Sequence, residues 1–205
     1  MLRVAVLASG TGSNLQALID RVHGRDGVEI VAVASDKPGA GAVDRAVRAG
    51  VEARVFARQE FAERADRDRT MADWLVERGV ELVVLAGYMQ LLGTEFLGRF
   101  PGAVINVHPA LLPAFPGLDA VGQALAYGVT VFGVTVHFVD EGVDSGPVIL
   151  QRAVELPEAR DREEVMDSLR PIEHELLPEA VRLIAAGRVC LSEPDPRRVT
   201  VERER

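Results

Sequence analysis

The first fourteen residues constrain the fold more than any other stretch. Leu2 to Ala8 is a short, nearly continuous apolar run with two valines, which suits a strand covered on both faces, as in a parallel sheet. Ser9-Gly10-Thr11-Gly12-Ser13-Asn14 follows, and Leu15, Leu18 and Ile19 then begin a helical period. A strand, a glycine-rich turn and a helix in that order present free backbone N–H groups and a positive helix end to an anion. Gly10 and Gly12 permit φ > 0 and close approach of a phosphate, and Ser13 and Asn14 are helix N-cap types. The dinucleotide fingerprint is absent, since Leu15 stands where its third glycine would be, and no Gly-Lys-Ser/Thr completes a P-loop. Two readings stay open here: a site for a single phosphate monoester, or a tight turn only.

The alternation continues down the chain. Strands are predicted at 28–35, 53–56, 81–86 and 103–108, with helices at 42–49, 61–78 and 94–99 between them. A helix from Asp119 to Tyr127 follows, with Asp119 at its N-cap. A strand over 130–138 pairs antiparallel with one over 148–154, because the loop between them is short. A long helix over 161–186 contains Pro171, which predicts a kink. The expected fold class is therefore α/β: a doubly wound, mostly parallel sheet, Rossmann-related, with a C-terminal antiparallel strand pair and a long closing helix. Residues 1–190 read as one domain and 191–205 as a charged tail.

Charge and cysteine content remove several functions. The net charge is −8 with no long basic run, so binding of nucleic acid through its phosphates is not expected. Cys190 is the single cysteine, which excludes an internal disulfide and a cysteine-based zinc site. No leader-like segment and no apolar run of membrane-spanning length is seen. The expectation is a soluble, reduced, cytoplasmic protein.

The residues able to carry chemistry lie after the strands. In Ile105-Asn106-Val107-His108-Pro109, Asn106 and His108 are one pleat apart on the same strand face, and Pro109 ends the strand. An amide beside a proton-exchanging ring could polarise a carbonyl and manage a proton; alternatively, both are satisfied polar groups at a strand end. Gly87-Tyr88-Met89-Gln90-Leu91-Leu92 is an apolar loop at the strand edge where open α/β sheets bind ligands, or one packed on a helix. Asp140-Glu141-Gly142-Val143-Asp144 is a tight acidic loop without the ligand order of a calcium site. His137 reads as a satisfied polar group on its strand. Arg58, Arg64, Arg67 and Arg69 read as a solvated face paired with Glu63, Asp66 and Asp68. Arg170 and Glu173 are three apart and share a helix face.

Four stretches together resemble the folate-dependent phosphoribosylglycinamide formyltransferases, the glycinamide ribonucleotide transformylases of purine synthesis. They are Ala8 to Gln16, Leu85 to Met89, Asn106 to Pro113 and Asp140 to Pro147, in register from Val4 to about Gly187. The resemblance implies formyl transfer from 10-formyltetrahydrofolate to the amine of glycinamide ribonucleotide, by direct attack and without a covalent enzyme intermediate. It implies a catalytic triad of Asn106, His108 and Asp144. Gly12, Ser13 and Asn14 would hold the ribonucleotide phosphate, and Arg170 and Glu173 the phosphoribosyl part. Arg64, Met89, Gln90, Leu91 and Leu92, with Asn106 and Asp140, Glu141, Gly142, Val143 and Asp144, match the folate side. Gln90 stands where many relatives carry Arg, and Asp119 and Val121 where several carry His. Small-molecule substrates are implied, with no metal, nicotinamide, nucleic acid or membrane, and with monomer and homodimer both open. The alternative is a formyltetrahydrofolate hydrolase lacking its regulatory domain; neither that domain nor the RNA-binding one of methionyl-tRNA formyltransferases is expected here.

Overall fold

A computed structural model of the chain describes residues 1–192 and 197–202. The chain divides into two compact units, 1–105 and 106–205. In the first, β1 (Leu2–Leu7), β2 (Val28–Ser35), β3 (Glu52–Val55) and β4 (Leu82–Leu85) alternate with α1 (Ser13–Arg21), α2 (Gly41–Arg48) and α3 (Arg64–Glu77). The short helix α4 (Thr94–Leu97) leads to β5 (Val104–His108), within which the division falls. The second unit holds α5 (Ala120–Tyr127), β6 (Val131–Phe138), β7 (Val148–Glu155), α6 (Arg162–Ala185), β8 (Val189–Leu191) and β9 (Val199–Val201).

Strand order in the main sheet is β3-β2-β1-β4-β5-β6-β7, and β8 pairs with β9 separately. β1 is parallel to both β2 and β4, and β2 to β3, while β6 and β7 are antiparallel. The order runs outward from β1 through β2 to β3, then restarts at β4, which is the doubly wound arrangement with its switch point between β1 and β4. Val4 to Ala8 are wholly buried, as the unbroken apolar run predicts for a strand covered on both faces.

Three local expectations differ from the structure. Ser13 and Asn14 are not caps: α1 begins at Ser13, and Gly12 at φ 76° is the N-cap without a side-chain hydrogen bond. The left-handed backbone there turns the chain directly into the helix. Residues 61–63 are not helical; Phe61 is extended and its ring stacks near Phe56, so α3 starts at Arg64. Val199–Val201, within the expected tail, pairs with Val189–Leu191. In α6, Pro171 and Pro178 both lie inside one helix, which stays anchored by buried Leu169, Leu176 and Leu177.

Candidate active site

In the first unit, the ends of β1 and β4 are tied together. The Ser9 amide donates to the Gly87 carbonyl, and the Ser9 hydroxyl accepts from the Met89 amide at 2.9 Å. The glycine turn after Ser9 directs its carbonyls toward α2: Gly10 O accepts from the Ala42 amide, and Thr11 O from Arg45 Nε at 2.8 Å. A Cβ on Gly12 would lie 2.6 Å from Ala42 Cα, so glycine is needed both for the left-handed φ and for this close approach. With these carbonyls engaged, the turn opens α1 without a side-chain cap, and the Gln16 amide closes the first turn on Gly12 O at 2.9 Å, so the positive end of the helix faces the turn. That is the arrangement suited to a phosphate.

The loop after β4 carries Met89 and Leu91 largely exposed, 54% and 60%, although both are apolar. Of the arginines expected on a solvated face, Arg58, Arg64 and Arg69 are exposed, Arg69 paired with Asp66 at 3.0 Å, but Arg67 is not. Arg67 and Asp68 of α3 are buried, 2% and 0% exposed, and form an ion pair at 2.7 Å. Asp68 also accepts from the Gly93 amide at 2.8 Å, and Arg67 approaches the Gln90 side chain at 3.4 Å. The charge spacing on α3 gave no signal of this, because burial of one face depends on what packs over it. Arg64, by contrast, is exposed, with Nε 4.0 Å from Asp68. Burial pushes the Tyr88 phenol upward.

The second unit assembles the three polar residues expected to act together. β5 places Asn106 and His108 on one face, and the loop after β6 returns Asp144, whose two oxygens serve one each. Asn106 Nδ2 donates to Asp144 Oδ1 at 3.3 Å, and His108 Nδ1 lies 3.3 Å from Asp144 Oδ2. Asp144 Oδ2 also accepts from the Gly117 amide at 2.7 Å, which ties the proline-rich loop to the acidic one. On its other side the His108 ring meets Phe115 O through Nε2 at 2.9 Å. Both its neighbours are acceptors, so a ring bearing N–H on each nitrogen satisfies both. Burial alone would raise the Asp144 carboxyl. The His137 hydrogen bond, the Gly117 amide and the charges of His108 and His137 outweigh it and hold the carboxyl below its usual range.

His137 is more than a satisfied strand residue. It is buried, its Nδ1 lies 2.8 Å from Phe138 O, and its Nε2 lies 3.2 Å from Asn106 Nδ2 and 3.5 Å from Asp144 Oδ1. Nδ1 faces the carbonyl, while Nε2 faces both the Asn106 amide and the Asp144 carboxylate and ties the two together. Only strand pairing determines which neighbours His137 meets. In the acidic loop, Asp140 Oδ1 accepts from the Gly142 amide and the Ser145 hydroxyl, which shapes the turn. Glu141 and Val143 are exposed. Arg170 is half-exposed and paired with Asp167 of its own helix, and Glu173 is buried.

A doubly wound sheet with an open glycine turn, and an Asn–His–Asp cluster built on a strand end and a returning hairpin, is the setting of a one-carbon acyl transfer enzyme. The family model described as "Formyl transferase" matches residues 2–181, and the chain belongs to that family. It is 39% identical over 183 residues to phosphoribosylglycinamide formyltransferase of Bacillus subtilis (strain 168), covering 89% of this chain and 94% of that protein. It is 42% identical over 192 residues to the human trifunctional purine biosynthetic protein adenosine-3, spanning 93% of this chain but only 19% of that protein's length. Among solved structures, glycinamide ribonucleotide transformylase 1 from Symbiobacterium toebii superposes with a TM-score of 0.93 at 45% identity, covering 98% of this chain and 94% of that one.

Proposed function

We propose that the chain transfers a formyl group from 10-formyltetrahydrofolate to the amine of glycinamide ribonucleotide, forming N-formylglycinamide ribonucleotide and tetrahydrofolate in purine synthesis. The observation that carries this reading is the Asp144 carboxylate shared between Asn106 and His108, in a chain matching full-length phosphoribosylglycinamide formyltransferases. The amine nitrogen bonds to the formyl carbon, and the carbonyl oxygen gains negative charge. Asn106 Nδ2, held by long bonds of 3.2 and 3.3 Å, turns one N–H to that oxygen. The folate nitrogen then leaves with the bonding pair and takes up a proton, while the attacking amine gives one up to solvent water. His108, oriented by Asp144, supplies the proton as Nε2 exchanges Phe115 O for the substrate. No residue needs to carry the formyl group, and Cys190 is exposed.

Gly12, Ser13 and Asn14 bind the phosphate through backbone amides, and Arg170 and Glu173 the ribose and phosphate region. Met89, Leu91 and Leu92 offer apolar surface to the flat pterin, with Gln90 and Arg64 at its border. The backbone of Asp140, Glu141, Gly142 and Val143 reads the amide edge of the ring. The chemistry calls for no metal, because the side-chain amide supplies the stabilisation of the oxyanion.

Folate product is assayed with and without glycinamide ribonucleotide. Turnover that depends on the ribonucleotide, and a loss of roughly 100- to 1,000-fold in kcat for Asn106→Ala, are expected. Equal turnover in its absence would instead establish the hydrolase. An unimpaired Asn106→Ala enzyme would remove the amide from the mechanism.

A further inference from the structure

The loop after β4 exposes Met89 and Leu91, yet burial of those side chains is not what holds it. Its fixings are polar and come from below. At its start the Met89 amide donates to the Ser9 hydroxyl. At its end the Gly93 amide donates to Asp68 Oδ2 at 2.8 Å. Between them, Arg67 extends one guanidinium nitrogen toward the Gln90 side-chain oxygen at 3.4 Å and another toward Leu91 O at 3.5 Å. The same guanidinium donates through Nε and a terminal nitrogen to Asp68 Oδ1, at 3.1 and 2.7 Å. The two carboxylate oxygens are thus divided, one for the arginine and one for the loop backbone.

Burying this pair carries a desolvation penalty that well-packed apolar residues would avoid. Its advantage lies in direction: a planar fork and a carboxylate fix their partners' positions, whereas apolar packing tolerates sliding. We infer that the buried Arg67–Asp68 pair is a positioning device that clamps the 89–93 segment from beneath, so that Met89 and Leu91 are presented to the folate in a set arrangement. This rests on the reading of the loop as the folate seat. The close packing at Gly93 agrees with it. A Cβ there would stand 3.0 Å from Glu95 Oε2, 3.3 Å from Asp68 Oδ2 and 3.4 Å from an Arg64 nitrogen, so the segment end lies directly on the charged cluster. The device acts on binding and leaves the chemical step alone, since neither residue belongs to the Asn106, His108 and Asp144 cluster.

The test uses Asp68→Asn, which keeps the shape, and the neutral double variant Arg67→Met/Asp68→Asn, which leaves no unpaired buried charge. Arg67→Lys keeps the charge but loses the fork. Folding is checked by thermal melting. Two quantities are then read: hydrogen exchange of the 89–93 amides without substrates, and KM for 10-formyltetrahydrofolate against kcat. The clamp predicts faster exchange by at least about tenfold in folded Asp68→Asn and in the double variant. It predicts a donor KM raised by a similar factor with kcat within about threefold, and partial recovery in Arg67→Lys. Unchanged exchange in both folded variants would overturn the clamp, and so would a fall in kcat at unchanged KM. Faster exchange with both donor KM and kcat unchanged would leave the clamp standing and overturn the assignment of the loop as the folate seat.

Discussion

At the scale of the residue, Asp144 concentrates the electrostatics of the second unit. Its carboxyl is half-buried, which works against ionisation, but His137, the Gly117 amide and His108 favour the charged form more strongly. The folded-state value lies below the ordinary 3.8. The unfolded chain therefore binds this proton more readily than the folded one, and folding releases it. The stabilisation is complete above the unfolded value and fades as pH falls through the folded value. Urea unfolding of the native protein should show stability declining below about pH 4. Asp144→Asn should be less stable at neutral pH with a flatter acid limb. An identical acid limb in the variant would remove Asp144 from that linkage. Asn106 and His108 were legible as a pair from strand alternation alone. Asp144 as their shared partner was expected from the resemblance and not from the alternation, and the contacts of His137 with two of the three were not expected at all, because they depend on how separate strands pair.

At the scale of the element, α5 shows a cap that both readings agree on. Asp119 was expected at the N-cap, and its side chain does accept from the Gly122 amide. It does so from a left-handed backbone, φ 59°, and also pairs with Arg162 at 2.8 Å. Aspartate tolerates that conformation better than alanine. Asp119→Ala should therefore lower unfolding free energy by roughly 1–2 kcal/mol, and Asp119→Gly by only a few tenths, as read from urea denaturation. Equal losses would mean that neither the cap nor the backbone governs this end. The helix α3 teaches the opposite lesson. Its many charges suggested a solvated face, yet Arg67 and Asp68 are among the most buried polar residues. Nothing in the spacing of charges distinguishes a face toward water from one roofed by a loop some twenty residues further on.

At the scale of the whole molecule, the central position of β1 makes it the most sensitive strand. It is bordered by β2 and β4 and wholly buried from Val4 onward. Leu7→Ala should cost about 2–5 kcal/mol and lower Tm by roughly 5–15 °C, whereas Val201→Ala in the terminal hairpin should cost less than about 1 kcal/mol. Calorimetry on the two variants checks the ranking, and a larger effect at Val201 would contradict it. The class of fold was determined by the sequence alone, because apolar runs of strand length alternating with helical periods leave a parallel sheet as the one economical way to bury both strand faces. The glycine turn after β1 was likewise legible locally, since Gly12 takes a left-handed backbone that other residues rarely adopt; its close approach to Ala42 is tertiary. What tertiary structure decided was the company each polar side chain keeps. Asn106 and His108 are two residues apart and were visible together. Asp144 and His137, like Asp68 beneath Gly93, become neighbours only when strands pair and loops close over helices, and a linear pattern carries local periodicity but not those long-range meetings.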